Sequence, residues 1–379
     1  MDFRLTPEQV MIQKTVRKFA EEVCEPIAAE IDKEHRFPHE TFKKMTECGI
    51  TGIGFPKEYG GSGLDKIAQT IATEELAKKC GTTSAVFSIH QGAAWFIHLF
   101  GSHEQKEKYL RPLLEGGVVG AFALTEPNAG SDASNLQTVA VEDGDDYILN
   151  GSKCFITGGS VAGIYFVLAL TDPPAKTRGI SAFIVEAGMP GFEVGKIEEK
   201  MGIRGSATAE IIFKDVRVPK ENLMGKLNKG FSMALASIDA ARITVAAAQA
   251  LGIAEGAFEH AVQYSKERVQ FGKPISYKQG LQWYIAEMKT RIEAARWLTY
   301  HAAWRSDQKL SVTTEGAMAK LYASEAASFV TNKALQIHGG YGYMMDYPIE
   351  RMLRDAKITE IYEGTNEIQK MVIGRSALS

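Results

Sequence analysis

The spacing of apolar residues changes twice along this chain of 379 residues, and those changes limit the folds open to it. The spacing is helical from Thr6 to about residue 114, strand-like from about Gly120, and helical again after Gly230. Separate blocks of helices, strands and helices are typical of an α+β multidomain protein. We therefore predict an N-terminal α-helical domain (residues 1–119), a central antiparallel β-barrel domain (residues 120–231) and a C-terminal four-helix bundle (residues 232–379).

Local signals support the two helical blocks. Thr6 and Pro7 suit the N-cap and the first position of a helix, because threonine accepts a backbone N–H there and proline lacks one. The segment 84–100 is apolar nearly all round, which predicts a helix inside the protein. Long helical segments are predicted near the other end at residues 232–266, 277–307 and 311–338, with a short one at 348–357.

The central block is predicted to form short strands. Asn150-Gly151 lies between apolar runs, and this dipeptide is typical of a two-residue hairpin turn. Turn residues separate the other strand-like runs, which predicts a small antiparallel structure. These runs cover residues 164–170, 180–185, 210–213 and 216–218.

Composition excludes several classes of function. The 43 basic and 46 acidic residues give a net charge of −3, so no general attraction to nucleic acid or an anionic membrane is expected. The four cysteines and eight histidines show neither metal-ligand nor disulfide spacing. No run approaches the roughly 18 apolar residues that cross a bilayer, and the N-terminus lacks a secretory signal pattern. We expect no metal site, no nucleic-acid partner and no membrane insertion.

Glu363 is the candidate catalytic residue. It follows apolar Ile361 and Tyr362 and precedes Gly364, which permits a sharp bend or the close approach of a ligand. Such a carboxylate is open to desolvation, which would raise its pKa toward neutrality and suit it to act as a general base. Asn366 and Gln369 have the spacing of a capping box at the start of a last helix.

Four further segments combine polar residues with glycine. Residues 124–132 end a strand in a turn whose N–H groups and hydroxyls could meet an anion, although it is equally a surface turn. Residues 155–159 end another strand and offer an aromatic face and a hydroxyl beside two glycines. Residues 268–274 interrupt two bundle helices, where Arg268 could bind a diphosphate or cap the preceding helix. Residues 336–343 contain glycines that allow close approach of a ligand. Templates for dinucleotide-binding folds, P-loops and zinc proteases are absent.

Together, in this order, these motifs closely resemble the acyl-CoA dehydrogenase family of flavoproteins. The resemblance covers essentially the whole chain. In length and overall sequence the chain looks most like the short-chain, butyryl-CoA branch of the family. It implies an FAD cofactor, an acyl-CoA substrate, electron transfer flavoprotein as acceptor, and a homotetramer built as a dimer of dimers. It also implies a cytoplasmic location in a bacterium, with the mitochondrial matrix after processing as the alternative.

The resemblance carries residue roles with it. Thr157 would lie near the reactive nitrogen of the flavin ring, and Arg268 would hold the adenine-diphosphate end of FAD from a neighbouring subunit. The full set implied for FAD is Phe122, Leu124, Thr125, Gly130, Ser131, Phe155, Ile156, Thr157, Arg268, Gln270, Phe271, Gln279, Gln336, Gly339, Gly340, Thr365, Asn366 and Glu367. The set implied for the substrate is Ser131, Asp239, Arg242, Tyr362, Glu363 and Gly364.

In the implied reaction, the acyl-CoA loses its α-proton to Glu363 and its β-hydrogen, as a hydride, to the flavin. The product is a trans-2-enoyl-CoA. The Glu363 N–H and a ribityl hydroxyl of FAD would hold the thioester oxygen. Arg354 and Asp355 are expected to brace the base rather than react.

By the same analogy, helix 84–100 lines the acyl pocket, where Phe87, Trp95 or Phe96 would limit its depth. It contains no arginine for a dicarboxylic acyl group. Two interpretations of His90 and Gln91 are open. Their side chains form hydrogen bonds with the backbone or with a neighbouring subunit, or they contact a cyclic or aryl acyl group of the substrate.

Three other functions remain open at this stage. The chain could be a non-catalytic flavin- or CoA-binding scaffold, although a scaffold has no use for a desolvated base. It could be an acyl-CoA oxidase, although such oxidases are usually longer. It could also work in reverse as an enoyl-CoA reductase, because flavin potential and partners set the direction.

Overall fold

Seven helices form the N-terminal part of the computed structural model, which describes residues 4–379. The first helix begins where the sequence predicts, because the side chains of Thr6 and Gln9 cap each other's backbone N–H groups at 3.3 and 3.0 Å. The helices are α1 (Pro7–Phe19), α2 (Ala28–Glu34), α3 (His39–Glu47), α4 (Lys66–Lys79), α5 (Gly81–Phe100), α6 (His103–Gln105) and α7 (Arg111–Glu115). Most of α5 is buried, as its apolar composition predicts.

Eight strands form one sheet in the middle of the chain. They are β1 (Gly120–Ala123), β2 (Val139–Asp143), β3 (Asp146–Ile156), β4 (Ile164–Leu170), β5 (Ile180–Glu186), β6 (Phe192–Ile197), β7 (Ala209–Pro219) and β8 (Leu223–Met224). The order is β6-β7-β3-β2-β4-β5-β8, with β1 paired to β4. Most pairs are antiparallel, but β1 and β2 each run parallel to β4, which the sequence did not predict. The ring centroids of Tyr147 in β3 and Phe183 in β5 lie 5.0 Å apart in the core.

The predicted hairpin at Asn150-Gly151 is wrong, because β3 runs straight through both residues. The Asn150 side chain accepts the Asp215 N–H at 2.9 Å and donates to the Asp215 carboxylate, also at 2.9 Å. These bonds hold a bulge at which the register of β3 against β7 shifts between Leu149 and Gly151. The tight turn lies earlier, between β2 and β3, where Gly144 has a φ of +61°.

The same bulge explains a second difference. Residues 210–213 and 216–218 were predicted as separate strands, but both belong to β7. Asp215, with a φ of +53°, lies between them, so polar residues that resemble a turn in sequence form an irregular point within one strand.

The rest of the chain is mainly helical, so the predicted succession of helical, sheet and helical parts is confirmed. They are α8 (Gly230–Ala241), α9 (Ala248–Glu267), α10 (Gln279–Asp307), α11 (Thr313–His338), α12 (Ile349–Lys357) and α13 (Asn366–Leu378). A hairpin of β9 (Val269–Gln270) and β10 (Lys273–Pro274) joins α9 to α10. Close packing requires glycine at residue 252 of α9, since a Cβ there would collide with the carbonyl oxygen of Glu74 in α4.

A π-helical turn, Arg242–Ala247, makes α8 and α9 one continuous helical segment. By length and composition alone this segment, Gly230–Glu267, could cross a membrane, so the sequence-based statement that no such segment exists is wrong. Within its most apolar window 61% is buried inside the protein, as in the core helix of a folded domain.

Arg354 and Asp355 of α12 connect the three parts of the chain. The Arg354 guanidinium donates to both carboxylate oxygens of Asp32 in α2, at 3.0 and 2.7 Å, and to the carbonyl of Met201 at 3.0 Å. The Asp355 carboxylate accepts the Ile203 N–H at 2.5 Å. Both side chains therefore fix the position of α12 against its neighbours, which agrees with a bracing role.

Candidate active site

Glu363 lies in a sharp turn between α12 and α13. The turn has two consecutive left-handed residues, Glu363 with φ +55° and Gly364 with φ +86°. Glycine suits the second position also because a Cβ there would lie 2.8 Å from Nε2 of Gln369. Glutamate lacks that freedom, so its conformation costs roughly 1–3 kcal/mol and must be held by its surroundings.

Gln369 supplies part of that support. Its buried side-chain amide donates to the carbonyl oxygens of Glu363 and Gly364, at 3.1 and 2.8 Å. The predicted capping box of Asn366 and Gln369 is therefore wrong. Thr365 is the N-cap of α13 and accepts the Ile368 N–H at 3.4 Å, which leaves Gln369 free to fix the turn before the helix.

Desolvation raises the pKa of the Glu363 carboxyl from 4.5 to about 7. The positive charges of Arg242 and Lys320 act in the opposite direction, and neither forms an ion pair within 4 Å of this carboxylate among residues 4–379. Burial therefore outweighs the two cations. A carboxyl with this pKa is close to half ionised at neutral pH and can accept a proton there.

The backbone N–H of Glu363 is available as well. Within the part of the chain that the structure describes, no atom accepts a hydrogen bond from it. An unpaired N–H beside a desolvated carboxylate gives the turn one donor and one proton acceptor.

Tyr362 anchors the turn on its other side. Its hydroxyl donates to the Val245 carbonyl at 3.1 Å and contacts Oε1 of Gln249. The Gln249 amide donates in turn to the carbonyl of Gly81 at 2.9 Å, where α5 begins. The turn is thus tied to the helix predicted to line the acyl pocket. Gln249 was not predicted, since an amide in an alanine-rich helix gives no distinct sequence signal.

Asp239 and Arg242, predicted to meet the substrate, form a pair at 2.6 Å. Asp239 also accepts a hydrogen bond from Thr313 at 2.6 Å. Arg242 is buried, and its Nε has no hydrogen-bond partner among residues 4–379. It begins the π-helical turn, a feature often found at functional sites. The charge of Arg242 acts on the Glu363 carboxyl and lowers its pKa, so the structure brings these two side chains near each other.

The two predicted segments of the sheet domain are adjacent. The Cys154 N–H donates to the Thr125 carbonyl at 2.9 Å, which joins the loop after β1 to the end of β3. Beneath them, buried Lys153 donates to Glu126 at 2.7 Å and to the Leu124 carbonyl at 3.2 Å. Glu126 also accepts the N–H groups of residues 137 and 138. Sequence reasoning missed this pair, although a lysine at a buried position of a strand was a signal.

Four predicted residues, Arg268, Gln270, Gly339 and Gly340, line one cavity of about 540 Å³. The Arg268 guanidinium lies over the ring of Tyr341 at 5.4 Å, and the cavity is also lined by buried His338. The hypothesis that Arg268 only caps α9 loses support, because its side chain belongs to this cavity.

The remaining predicted residues fall into three groups. Several are exposed at the surface, namely Gly130, Ser131, Phe155, Phe271, Gln279, Gln336 and Glu367. Phe122, Thr157 and Thr365 are partly buried. Ile156 and Asn366 are buried as whole residues.

The polar residues of α5 are satisfied inside the protein. His90 accepts the Gly120 N–H at 3.1 Å, so its other ring nitrogen carries the proton toward the Leu113 carbonyl at 3.0 Å. Burial lowers the pKa of His90 to about 4, which keeps it neutral. Gln91 donates to the Thr51 carbonyl at 2.6 Å. Both side chains form hydrogen bonds with the backbone of this chain. The structure therefore does not support the hypothesis that they contact a cyclic or aryl acyl group.

The three aromatic residues proposed to limit the pocket differ in position. Phe87 and Phe96 are completely buried in two separate clusters of the core. Trp95 lies on the partly exposed face of α5 and packs against Phe55. Of the three, only Trp95 remains a candidate for contact with a ligand. Among residues 4–379, no group of three or more histidine, cysteine or acidic side chains is placed to hold a metal ion.

Comparison with known proteins agrees with this arrangement. Models of the acyl-CoA dehydrogenase N-terminal, middle and C-terminal domains match residues 6–117, 121–216 and 228–378. Acryloyl-CoA reductase (NADH) of Anaerotignum propionicum is 58% identical, over 100% of this chain and 96% of its own length.

Two solved structures are similar over 100% of both chains. Butyryl-CoA dehydrogenase from Megasphaera elsdenii is 48% identical, with a TM-score of 0.98. A chain from the work on the electron transferring flavoprotein of Acidaminococcus fermentans, concerned with flavin-based electron bifurcation, is 53% identical, with a TM-score of 0.99. The sequence, the fold and the turn around Glu363 together show that this chain belongs to the acyl-CoA dehydrogenase family.

Proposed function

We propose that this protein is an FAD-dependent acyl-CoA dehydrogenase that converts a short-chain acyl-CoA to a trans-2-enoyl-CoA, with Glu363 as the catalytic base. The single observation that carries this proposal is the turn at residue 363. It holds a carboxyl whose pKa is raised to about 7 by desolvation, next to an unpaired backbone N–H. A base and a hydrogen-bond donor at one residue suit proton abstraction next to a carbonyl group.

Glu363 would take the α-proton of the thioester. An α-proton is too weakly acidic for a carboxylate unless the negative charge that develops on the carbonyl oxygen is stabilised. The N–H of Glu363 is available to donate to that oxygen, and the hydrogen bonds from Gln369 keep it in place. A bound acyl chain would exclude water, which strengthens this hydrogen bond and the basicity of the carboxylate together.

The residues present fit FAD. The cavity lined by Arg268, Gly339 and Gly340 offers a cation and accessible backbone, which suit a diphosphate. A hydrogen bond from Cys154 to Thr125 joins the loop after β1 to the end of β3, and these two segments, with Thr157 just beyond β3, would hold the flavin ring. When bound, FAD supplies the acceptor for the β-hydrogen as hydride. The chain's own residues supply position and the proton acceptor.

Asp239, Arg242 and Ser131 are proposed to meet the CoA part of the substrate. The burial of Arg242 limits its contact to groups that enter the site deeply, such as the thioester end. Ser131 is exposed in the loop after β1, where it suits the outer part of CoA. The three residues would then bind different parts of one extended ligand.

A short acyl chain is proposed because the similar proteins are named for acryloyl-CoA and butyryl-CoA. The internal hydrogen bonds of His90 and Gln91 remove the argument for a cyclic or aryl substrate. The similarity to a reductase favours a second candidate function, reduction of the corresponding enoyl-CoA. Glu363 would then return the proton as a general acid, which a pKa of about 7 also allows.

Partners follow from the same comparisons. Electron transfer flavoprotein is the proposed redox partner, in view of the similar chain from the Acidaminococcus work. A homotetramer is proposed because large aromatic side chains are exposed on α10, among them Trp283 at 62% and Trp297 at 44%. A cytoplasmic location is proposed from the bacterial relatives.

The proposal is tested by anaerobic titration of the purified flavoprotein with butyryl-CoA and with cyclic and aryl acyl-CoAs. Loss of the oxidised flavin absorbance with butyryl-CoA is expected. An unchanged spectrum with every thioester, including crotonyl-CoA added to the reduced protein, would favour the non-catalytic scaffold. Rapid hydrogen peroxide production in air would favour the oxidase instead.

A further inference from the structure

Lys320 of α11 is a buried cation close to the turn of Glu363. Its side chain is completely buried, and its ammonium donates to Oδ1 of Asn366 at 2.7 Å. Asn366 is neutral, and it also accepts a hydrogen bond from Ser324 at 3.1 Å. No carboxylate of residues 4–379 lies within 4 Å of the ammonium, so this buried charge has no ion-pair partner. Such a charge is costly unless it serves a purpose.

The acidic groups that act on Lys320 differ in how well they are neutralised. Glu363 has the largest effect, followed by Glu360 and Glu367. Glu360 is paired with Lys357 at 2.7 Å, and Glu367 is exposed in the first turn of α13. Glu363 is thus the desolvated carboxylate that lacks a cation of its own.

Two cations face Glu363, namely Arg242 and Lys320. Arg242 has the larger effect on the pKa of Glu363, but its guanidinium is also paired with Asp239 at 2.6 Å. Lys320 has no carboxylate partner within 4 Å among residues 4–379, although burial lowers its own pKa to about 8. At neutral pH Lys320 is therefore still mostly protonated, and its field reaches Glu363 through a poorly hydrated interior.

We propose that Lys320 is a positioning residue for the reaction, whose buried ammonium favours the ionised form of the Glu363 carboxylate while its bond to Asn366 holds the first turn of α13. This inference rests on the proposed role of Glu363 as the base. Lys320 acts only through Glu363 and Asn366 and does not touch the substrate.

The test compares variants that separate charge from hydrogen bonding. Lys320→Met removes both, Lys320→Gln keeps an amide donor without the charge, and Lys320→Arg keeps the charge. Ser324→Ala is the matched control, because it removes the other donor to Asn366 and leaves the charge unchanged. Each purified holoenzyme is mixed anaerobically with saturating butyryl-CoA, and the rate of flavin reduction is measured from pH 6 to pH 9.

Loss of the cation should raise the pKa of Glu363 by about one unit, at the low end of shifts caused by a neighbouring charge. The Met and Gln variants should then reduce flavin about tenfold more slowly than wild type at pH 6, and at nearly the same rate at pH 9. In the Lys320→Arg and Ser324→Ala variants, the rate of flavin reduction should fall toward pH 6 in the same way as in wild type. The Met variant should melt no lower than wild type, because an unpaired buried charge has been removed.

A loss of rate by the same factor at every pH, or an equal shift in Ser324→Ala, would overturn the inference and leave Lys320 a structural residue. Wild-type flavin reduction by Glu363→Gln would instead overturn the proposed function. The two failures are therefore distinguishable.

Discussion

Glu363→Gln tests the proposed base through two measurements that should move in opposite directions. General-base catalysis contributes about 10²- to 10⁴-fold, so the rate of flavin reduction by butyryl-CoA at pH 8 should fall by at least about 100-fold. FAD content should stay at the wild-type level, since the residues proposed to hold FAD are unchanged. Glutamine nearly matches glutamate in size, which keeps the turn intact.

Stability should rise in the same variant. The pKa of Glu363 is raised from 4.5 to about 7, so the folded protein binds more protons than the unfolded chain between these values. The contribution of this group to stability therefore falls as pH rises from about 4.5 to about 7, by about 3 kcal/mol in all. Glu363→Gln removes that penalty, so its advantage over wild type should be small at pH 5 and large at pH 8.

The assay is thermal unfolding of both proteins at pH 5 and pH 8, together with stopped-flow flavin reduction. Glu360→Gln is the matched control, because Glu360 lies three residues earlier and its pKa is lowered: Lys357 and Ser328 outweigh its desolvation. Its replacement should lower stability at pH 8 and leave the base in place. The reasoning would be refuted if Glu363→Gln kept more than about a tenth of the wild-type rate, or if it were less stable than wild type at pH 8.

Three other substitutions have defined outcomes. Gln369→Ala should slow flavin reduction by about 10- to 100-fold at unchanged FAD content, because two hydrogen bonds to the turn of Glu363 are lost; an unchanged rate would contradict this. Lys153→Met should lower the free energy of unfolding by about 3–5 kcal/mol, because Glu126 is left buried without its cation, and Lys153→Met combined with Glu126→Gln should recover part of it in thermal melts. His90→Leu should lower stability by about 1–3 kcal/mol without changing the order of preference among straight, cyclic and aryl acyl-CoAs in flavin bleaching; a changed order would assign His90 to the acyl pocket.

The sequence predicted the parts of the fold that depend on local periodicity. The helix Gly81–Phe100 and the strand Ile164–Leu170 each have a uniform pattern over their full length, so their positions are predicted closely. The strand through Asn150-Gly151 was predicted as a turn because its bulge depends on Asp215, 65 residues away. A single stretch of sequence contains no information about such a partner.

The same limit applies to the site. Glu363 was found because its neighbours in sequence are also its neighbours in space. Lys320, Gln249 and Lys153 were missed because each acts on a segment distant in the chain, from a helix or strand whose pattern otherwise indicates packing. Gln369 was noticed, but its amide bonds the carbonyls before the helix rather than the N–H of the cap.

The strained conformation of Glu363 connects these observations. A left-handed glutamate is unfavourable in isolation, and a carboxylate without a nearby cation is unfavourable where water is scarce. The turn tolerates both because Gln369 bonds its carbonyls, Tyr362 anchors it to α9 through Gln249, and Lys320 and Arg242 supply positive charge from α11 and the π-helical turn. Each of these supports comes from a different element of the bundle. A chain with the same motif but without these elements would therefore present residue 363 as an ordinary hydrated carboxylate with a pKa near 4.5, unable to act as a base in a dry site.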